Sequence, residues 1–214
     1  MEDYPIESYD HSYLFSLFPN YDYNAPTRPW EIHCRNNDGV RNCAWQMKAF
    51  HYRWIWECCK KTGEIGLSIN IDNLPFCVHV DSRKGNGHVF TNYGSVHKQF
   101  NGEKFPLIVA SALIPYYPCE SGTPKCNGAE VAKGIDDLAI LLKPSGVLIA
   151  AIMDETGPMN EGRSLRDSSY FTHAWTSKQF EKVVLGNISG ELWDVAEFDT
   201  LKNDMSFNLV LRKK

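Results

Sequence analysis

The stretch Gly63-Glu-Ile-Gly-Leu-Ser-Ile-Asn-Ile-Asp-Asn-Leu-Pro-Phe-Cys-Val-His-Val-Asp81 constrains the fold of this chain more than any other. Its two short apolar runs, Glu64–Ile69 and Cys77–Asp81, are separated by Asn70, Asp72, Asn73 and Pro75, which is strand and turn chemistry. Two buried strands follow, with a carboxylate where the second one ends. In an open α/β sheet the first strand-to-loop turn brings backbone N–H groups to a ligand. An acidic group at the end of the next strand then accepts from ribose hydroxyls. The glycines here read Gly66-Leu-Ser-Ile-Asn and not G-x-G-x-x-G, so taken alone the stretch fits two core strands and a turn equally well.

The remaining composition is that of a globular chain. Its 214 residues suffice for one domain with a full core. With 43% hydrophobic residues, 22% charged residues and a net charge of −4, nucleic acid is not the default partner. Seven cysteines at 34, 43, 58, 59, 77, 119 and 126 include no C-x-x-C pair, so neither a disulfide framework nor a metal site is signalled. Reduced, partly buried thiols are expected. The first residues lack a basic and then apolar leader, and no run approaches ~18 apolar residues. The expectation is a cytoplasmic chain without a membrane segment.

Residues 1–42 carry Glu2, Asp3, Glu7, Asp10 and Asp22 among Tyr4, Tyr9, Tyr13, Phe15, Phe18, Tyr21 and Tyr23. That aromatic density suits a segment packed on the core or over a pocket mouth, and it could equally seal a homodimer. Residues 43–214 read as the α/β domain. Cys43–Lys61 is helical, with Met47, Phe50, Trp54 and Cys58 on one face and Trp45, Ala49, Tyr52 and Trp56 on another. It is therefore covered on both sides, and His51 reads as a core residue.

Further on, Thr91–His97 is expected as a strand and Arg83–His88 as a surface turn. Phe105–Ser111 is a buried strand running into a long loop. Ala129–Leu142 is a helix stopped by Lys143-Pro-Ser-Gly146, and Val147–Met153 is an all-apolar strand. A second long loop, Asp154–Trp175, precedes a helix beginning at Thr176. Strands Leu192–Phe198 and Ser206–Leu211 then flank a turn. Strands alternating with helices before a terminal hairpin give a mostly parallel sheet with one antiparallel strand near the end.

Asp81, the segment Asp136-Asp-Leu-Ala-Ile-Leu-Leu-Lys-Pro-Ser-Gly-Val-Leu-Ile-Ala150 and the closing hairpin together resemble the class I S-adenosylmethionine-dependent methyltransferases. Tyr170-Phe-Thr-His-Ala-Trp-Thr176 and Leu201-Lys-Asn-Asp-Met-Ser-Phe-Asn-Leu-Val-Leu-Arg212 resemble a small-molecule subgroup. The likeness covers residues 60–214. It implies a Rossmann-like, mostly parallel seven-stranded sheet with an antiparallel C-terminal strand and helices on both faces. It also implies S-adenosylmethionine lying across the carboxyl ends of the first strands. Gly66, Ser68, Asn70 and Asp72 would then line the methionine and ribose side. Asp81 would take the ribose hydroxyls, and Ser111 with Ala112 would flank the reacting methyl group. Asn70 and Asp72 replace two glycines of the family's turn. The link Asn70–Phe76 is too short for a crossover helix.

Methyl transfer needs positioning, exclusion of water and, for a protonated acceptor, a base. The two long loops rise from the carboxyl edge and would form the acceptor pocket. His173 is the first candidate base, with Asp154, Glu155 and Tyr116 behind it; a loop histidine beside the following helix is the plainer reading. Small-molecule methyl transfer is the function the sequence favours, and a catalytically degenerate binding or regulatory module is the alternative. A nicotinamide-dependent oxidoreductase ranks below both, because the dinucleotide fingerprint is missing.

Overall fold

In the computed structural model, residues 50, 51, 53–69, 74, 76–81, 89, 90, 93–100, 102–110, 127–154, 175–200 and 206–214 are described. Residues 1–49, including the whole aromatic N-terminal segment 1–42, lie outside them. Strands β1 (Gly66–Ile69), β2 (Cys77–Asp81), β3 (Val89–Phe90), β4 (Phe105–Val109), β5 (Leu142–Met153), β6 (Trp193–Thr200) and β7 (Ser206–Lys213) form one sheet, ordered β3-β2-β1-β4-β5-β7-β6. Pairing from β3 to β5 is parallel, whereas β7 runs antiparallel to both β5 and β6.

Strand alternation divides the core into two layers. Leu107, Val109, Val147, Ile149, Ala151 and Val210 face helix α1, of which residues 50, 51 and 53–60 are described. Phe50, Trp54, Ile55 and Cys59 fill that layer from the helix side, and His51 is buried and engaged there, a core residue as expected. The last turn of α1, Trp56–Lys60, widens to a π-helix. On the opposite face Leu67, Ile69, Val80, Ile108, Leu148, Ala150, Leu209 and Leu211 meet α2 (Gly128–Leu138) and α3 (Ser177–Phe180, continued by a π turn through Leu185).

Both of these helices start from capping boxes. Glu130 N–H donates to Asn127 Oδ1 at 2.9 Å while Asn127 N–H donates to the Glu130 carboxylate at 2.8 Å. Gln179 N–H likewise donates to Thr176 Oγ1 at 3.1 Å. Asp136 of α2 accepts from Trp193 Nε1–H at 2.9 Å and Ser189 N–H at 3.1 Å, fastening the helix to the start of β6.

Two expected elements are corrected. The strand expected over 91–97 is absent from its described residues: Val89 and Phe90 pair with β2, and Tyr93–Lys98 coil into a 3-10 helix. The helix expected to reach Leu142 ends at Leu138, and Ala139–Leu141 tighten to 3-10. Leu142 already belongs to β5, paired with Phe105. The strand then carries Pro144 and Gly146 through a register shift at Ser145, whose φ is 60°. A bulge is one of the few places a strand accepts proline.

Residues 70–76 join β1 to its parallel neighbour β2. Seven extended residues reach about 23 Å, enough to return along four residues of strand but with no length left for a helix. Leu74 of this link is buried in the α1 layer. At the amino end of the same layer, Gly66 leaves room for two thiols. A β-carbon there would stand 3.0 Å from Cys59 Sγ and 3.2 Å from Cys77 Sγ.

Burial, with Cys59 beside it, pushes the Cys58 thiol from its ordinary 9.0 up to about 12. Hydrogen bonding with Cys59 and then burial push Cys77 up as well. The fold thus favours the neutral thiols, a contribution complete below the ordinary pKa and lost as pH rises through the folded one.

Two outcomes are expected. The urea midpoint should fall as pH rises from 9.0 toward about 12, and fall less in Cys58→Ser; equal pH profiles would contradict this assignment. Phe180 is fully buried, with ring centroids 6.1 Å from Trp175 and 5.3 Å from Phe207. Phe180→Ala should therefore cost about 3–5 kcal/mol of unfolding free energy by urea titration.

Candidate functional site

Parallel strands β1, β2, β4 and β5 present their carboxyl ends along one edge, at Ile69, Asp81, Val109 and Met153. The chain winds outward from β1 through β2 to β3, then returns to place β4 on the other side of β1. The winding reverses between β1 and β4, and open α/β sheets take ligands outside the carboxyl ends at such a reversal.

Asp81 is the last residue of β2, one strand from that reversal, and its backbone pairs with Phe90. Ser68 stands beside His79 in register, one residue inside the end of β1. It is fully buried on the face toward α1. Gly66 lies at the amino end of β1, away from the edge, where the packing of α1 accounts for its missing side chain. Asn70, Asp72, Ser111, Ala112, Tyr116, Glu155 and His173 fall outside the described residues.

Asp154 follows β5 directly and is only 5% exposed. It forms a parallel bridge with Trp175, itself buried against Phe180. The bridge brings the residues on either side of 155–174 together at the carboxyl edge, next to the last residues of β5. A carboxylate enclosed at this place can hold a proton donor in a fixed position. Among the described residues no group of three or more His, Cys, Asp or Glu could hold a metal ion, and no helix is long and apolar enough to cross a membrane.

Two polar side chains not singled out from sequence are also buried on the α1 side, His79 in β2 and Asn208 in β7. Alternation within Cys77–Asp81 and Ser206–Lys213 carries the signal, since both share a face with core positions. That face could be recognised as covered only once α1 was seen to lie on it.

No protein-family model and no curated protein matches the chain. Among solved structures it is similar to an N-methyltransferase from Bradyrhizobium japonicum in complex with S-adenosyl-L-homocysteine, at 15% identity and a TM-score of 0.49, over 88% of this chain and 93% of that one. It is similar to magnesium protoporphyrin IX methyltransferase from Synechocystis at 12% identity and a TM-score of 0.48, over 95% of each chain. A third is a SAM-dependent methyltransferase from Thermotoga maritima, at 12% identity and a TM-score of 0.48, over 79% of this chain and 97% of that one. Likeness at this level concerns fold and not activity. The architecture rests on strand order, the reversal at β1 and the burial of both sheet faces. On those grounds the chain has an α/β Rossmann-like fold.

Proposed function

We propose that the chain is an S-adenosylmethionine-dependent methyltransferase acting on a small molecule, a sugar or other metabolite. The observation that carries this reading is the position of Asp81, which ends β2 at the carboxyl edge beside the reversal of winding. A ribose offers two neighbouring hydroxyls, and a carboxylate at the end of the second strand accepts from both. When bound, S-adenosylmethionine supplies an electrophilic methyl group on a sulfonium.

The residues of the chain have the binding, orienting and proton-handling tasks. Asn70 and Asp72 follow β1 directly in sequence, and Ser111 with Ala112 follow β4, so these four belong to the cofactor side of the crevice in this reading. Asp154 is held at the edge by the bridge to Trp175. It is the described candidate for positioning an acceptor's proton, with His173 and Tyr116 supplied by the two long loops. Burial of the surrounding strand ends supports the exclusion of water.

A second reading, a methyltransferase-fold binding or regulatory module without turnover, is favoured by the seven-residue link between β1 and β2. Its length leaves no room for a crossover helix between β1 and β2, whose N-terminus would otherwise add positive potential at the end of β1. Asn70 and Asp72 in place of glycine point the same way.

Calorimetric titration with S-adenosylhomocysteine tests both readings. Binding is expected in the wild type, weakened roughly ten- to hundredfold in Asp81→Ala with the thermal midpoint unchanged. No heat from the wild type at millimolar ligand would end the first reading, and turnover of any acceptor would end the second.

A further inference from the structure

Where the end of α1 meets the amino edge of the sheet, opposite the edge of Asp81, lie thiols that methyl transfer does not use. Cys58 and Cys59 belong to the π turn of α1, and Cys77 is the first residue of β2. All three are free. Cys59 and Cys77 converge over one glycine. A β-carbon on Gly66 would stand 3.0 Å from the sulfur of the first and 3.2 Å from that of the second. The two thiols hydrogen-bond to each other. Among the described residues no group of three or more His, Cys, Asp or Glu could hold a metal ion, so the pair is a dithiol and not part of a metal centre.

Main-chain bonds hold both sulfur-bearing segments to the entrance of β1. Glu64 N–H donates to the Cys59 carbonyl at 3.0 Å, and Gly66 N–H donates to the Phe76 carbonyl at 2.8 Å. Phe76 turns the chain into β2 with a φ of 58°, a left-handed value that a bulky residue rarely adopts. Gly66 then pairs with Cys77 in register. The backbone thus sets the two cysteines side by side, and the missing side chain of Gly66 keeps the space between their sulfurs clear. Bringing the sulfurs from hydrogen-bonding contact to the ~2.05 Å of a disulfide calls for rotation about the side-chain bonds.

We propose that Cys59 and Cys77 are a redox-sensitive dithiol that a hydroperoxide closes into a disulfide, stapling the end of α1 to the start of β2. Cys77 is partly exposed and Cys59 fully buried, so the oxidant meets Cys77 first. The Cys77 sulfur, as thiolate, attacks one peroxide oxygen. The O–O bond breaks, and the other oxygen leaves as an alcohol or, from hydrogen peroxide, as water. The Cys59 sulfur then attacks the sulfenic sulfur of Cys77. An S–S bond forms, the S–O bond breaks, and the hydroxyl departs as water with the proton of Cys59. One hydroperoxide gains the two electrons that the two thiols lose. The Cys77 thiolate is disfavoured by the bond to Cys59 and by burial, so closure is slow. The ring so closed runs from Cys59 through β1 and residues 70–76 to Cys77, and it ties down the link between the first two strands. The dithiol stands whether or not the chain transfers methyl groups.

Folded, full-length Cys58→Ser protein is incubated with hydrogen peroxide, alkylated in denaturant and digested with trypsin without reductant. Cleavage after Arg53, Lys60, Lys61 and Arg83 leaves the two cysteines on separate peptides, Trp54–Lys60 and Thr62–Arg83. The expected product is these two peptides joined with loss of two hydrogens, separated again by a thiol reductant. The thermal midpoint of the oxidised protein should rise by about 5–10 °C and return on reduction. Absence of the joined peptides, or their formation only in protein oxidised in urea, would overturn the proposal. So would equal linkage of either cysteine to Cys34, Cys43, Cys119 or Cys126. An unshifted midpoint in protein shown to be joined would overturn the staple, as would the same rise in Cys77→Ser.

Discussion

Parallel strands pair stably when both faces are shielded from water, because their crossovers run over those faces and their residues are apolar on successive positions. In this chain that constraint falls on β4 and β5. Leu107, Val109, Ile149 and Ala151 look one way, and Ile108, Ala110, Leu148 and Ala150 look the other. Two layers of helix are therefore obligatory. The capping boxes at Asn127 and Thr176 begin the helices of one layer, and α1 supplies the other.

The α1 layer has an unusual composition of elements. The link between β1 and β2 is too short for a crossover helix and brings Leu74 into this layer, and α1 spreads from β1 across β4 and β5 to β7. Gly66 permits its last turn to approach the sheet through Cys59. Arg53 reaches as far as Glu197 on the edge strand. With both faces occupied, the carboxyl edge is the part of the sheet left for chemistry. The reversal at β1, the end of β2 at Asp81 and the Asp154–Trp175 bridge all lie along it.

The elements legible in the sequence were those under the strongest local constraint. Phe105–Val109 and Val147–Met153 are apolar on both faces, and Cys77–Asp81 is bounded by Pro75 and a carboxylate, so each strand announces itself. Non-local pairing decided the rest. Val89–Phe90 is a strand only because β2 offers Val80 and Asp81 as partners. Leu142 leaves the helix pattern because Phe105 pairs with it. Alternation puts Asn208 on the face of Val210, but along an antiparallel strand it cannot say which face a distant helix will cover. Of the candidate site, Asp81 and Asp154 could be located from strand ends alone. Asn70, Asp72, Ser111, Ala112, Tyr116 and His173 lie outside the described residues, in stretches of the sequence where no periodicity fixes position.

A crystal structure of the chain grown with S-adenosylhomocysteine addresses the central claim most directly. The account expects ligand density across the carboxyl ends of β1 and β4, with both ribose hydroxyls donating to the Asp81 carboxylate. Density confined to another surface, or a ribose that makes no contact with Asp81, would contradict it.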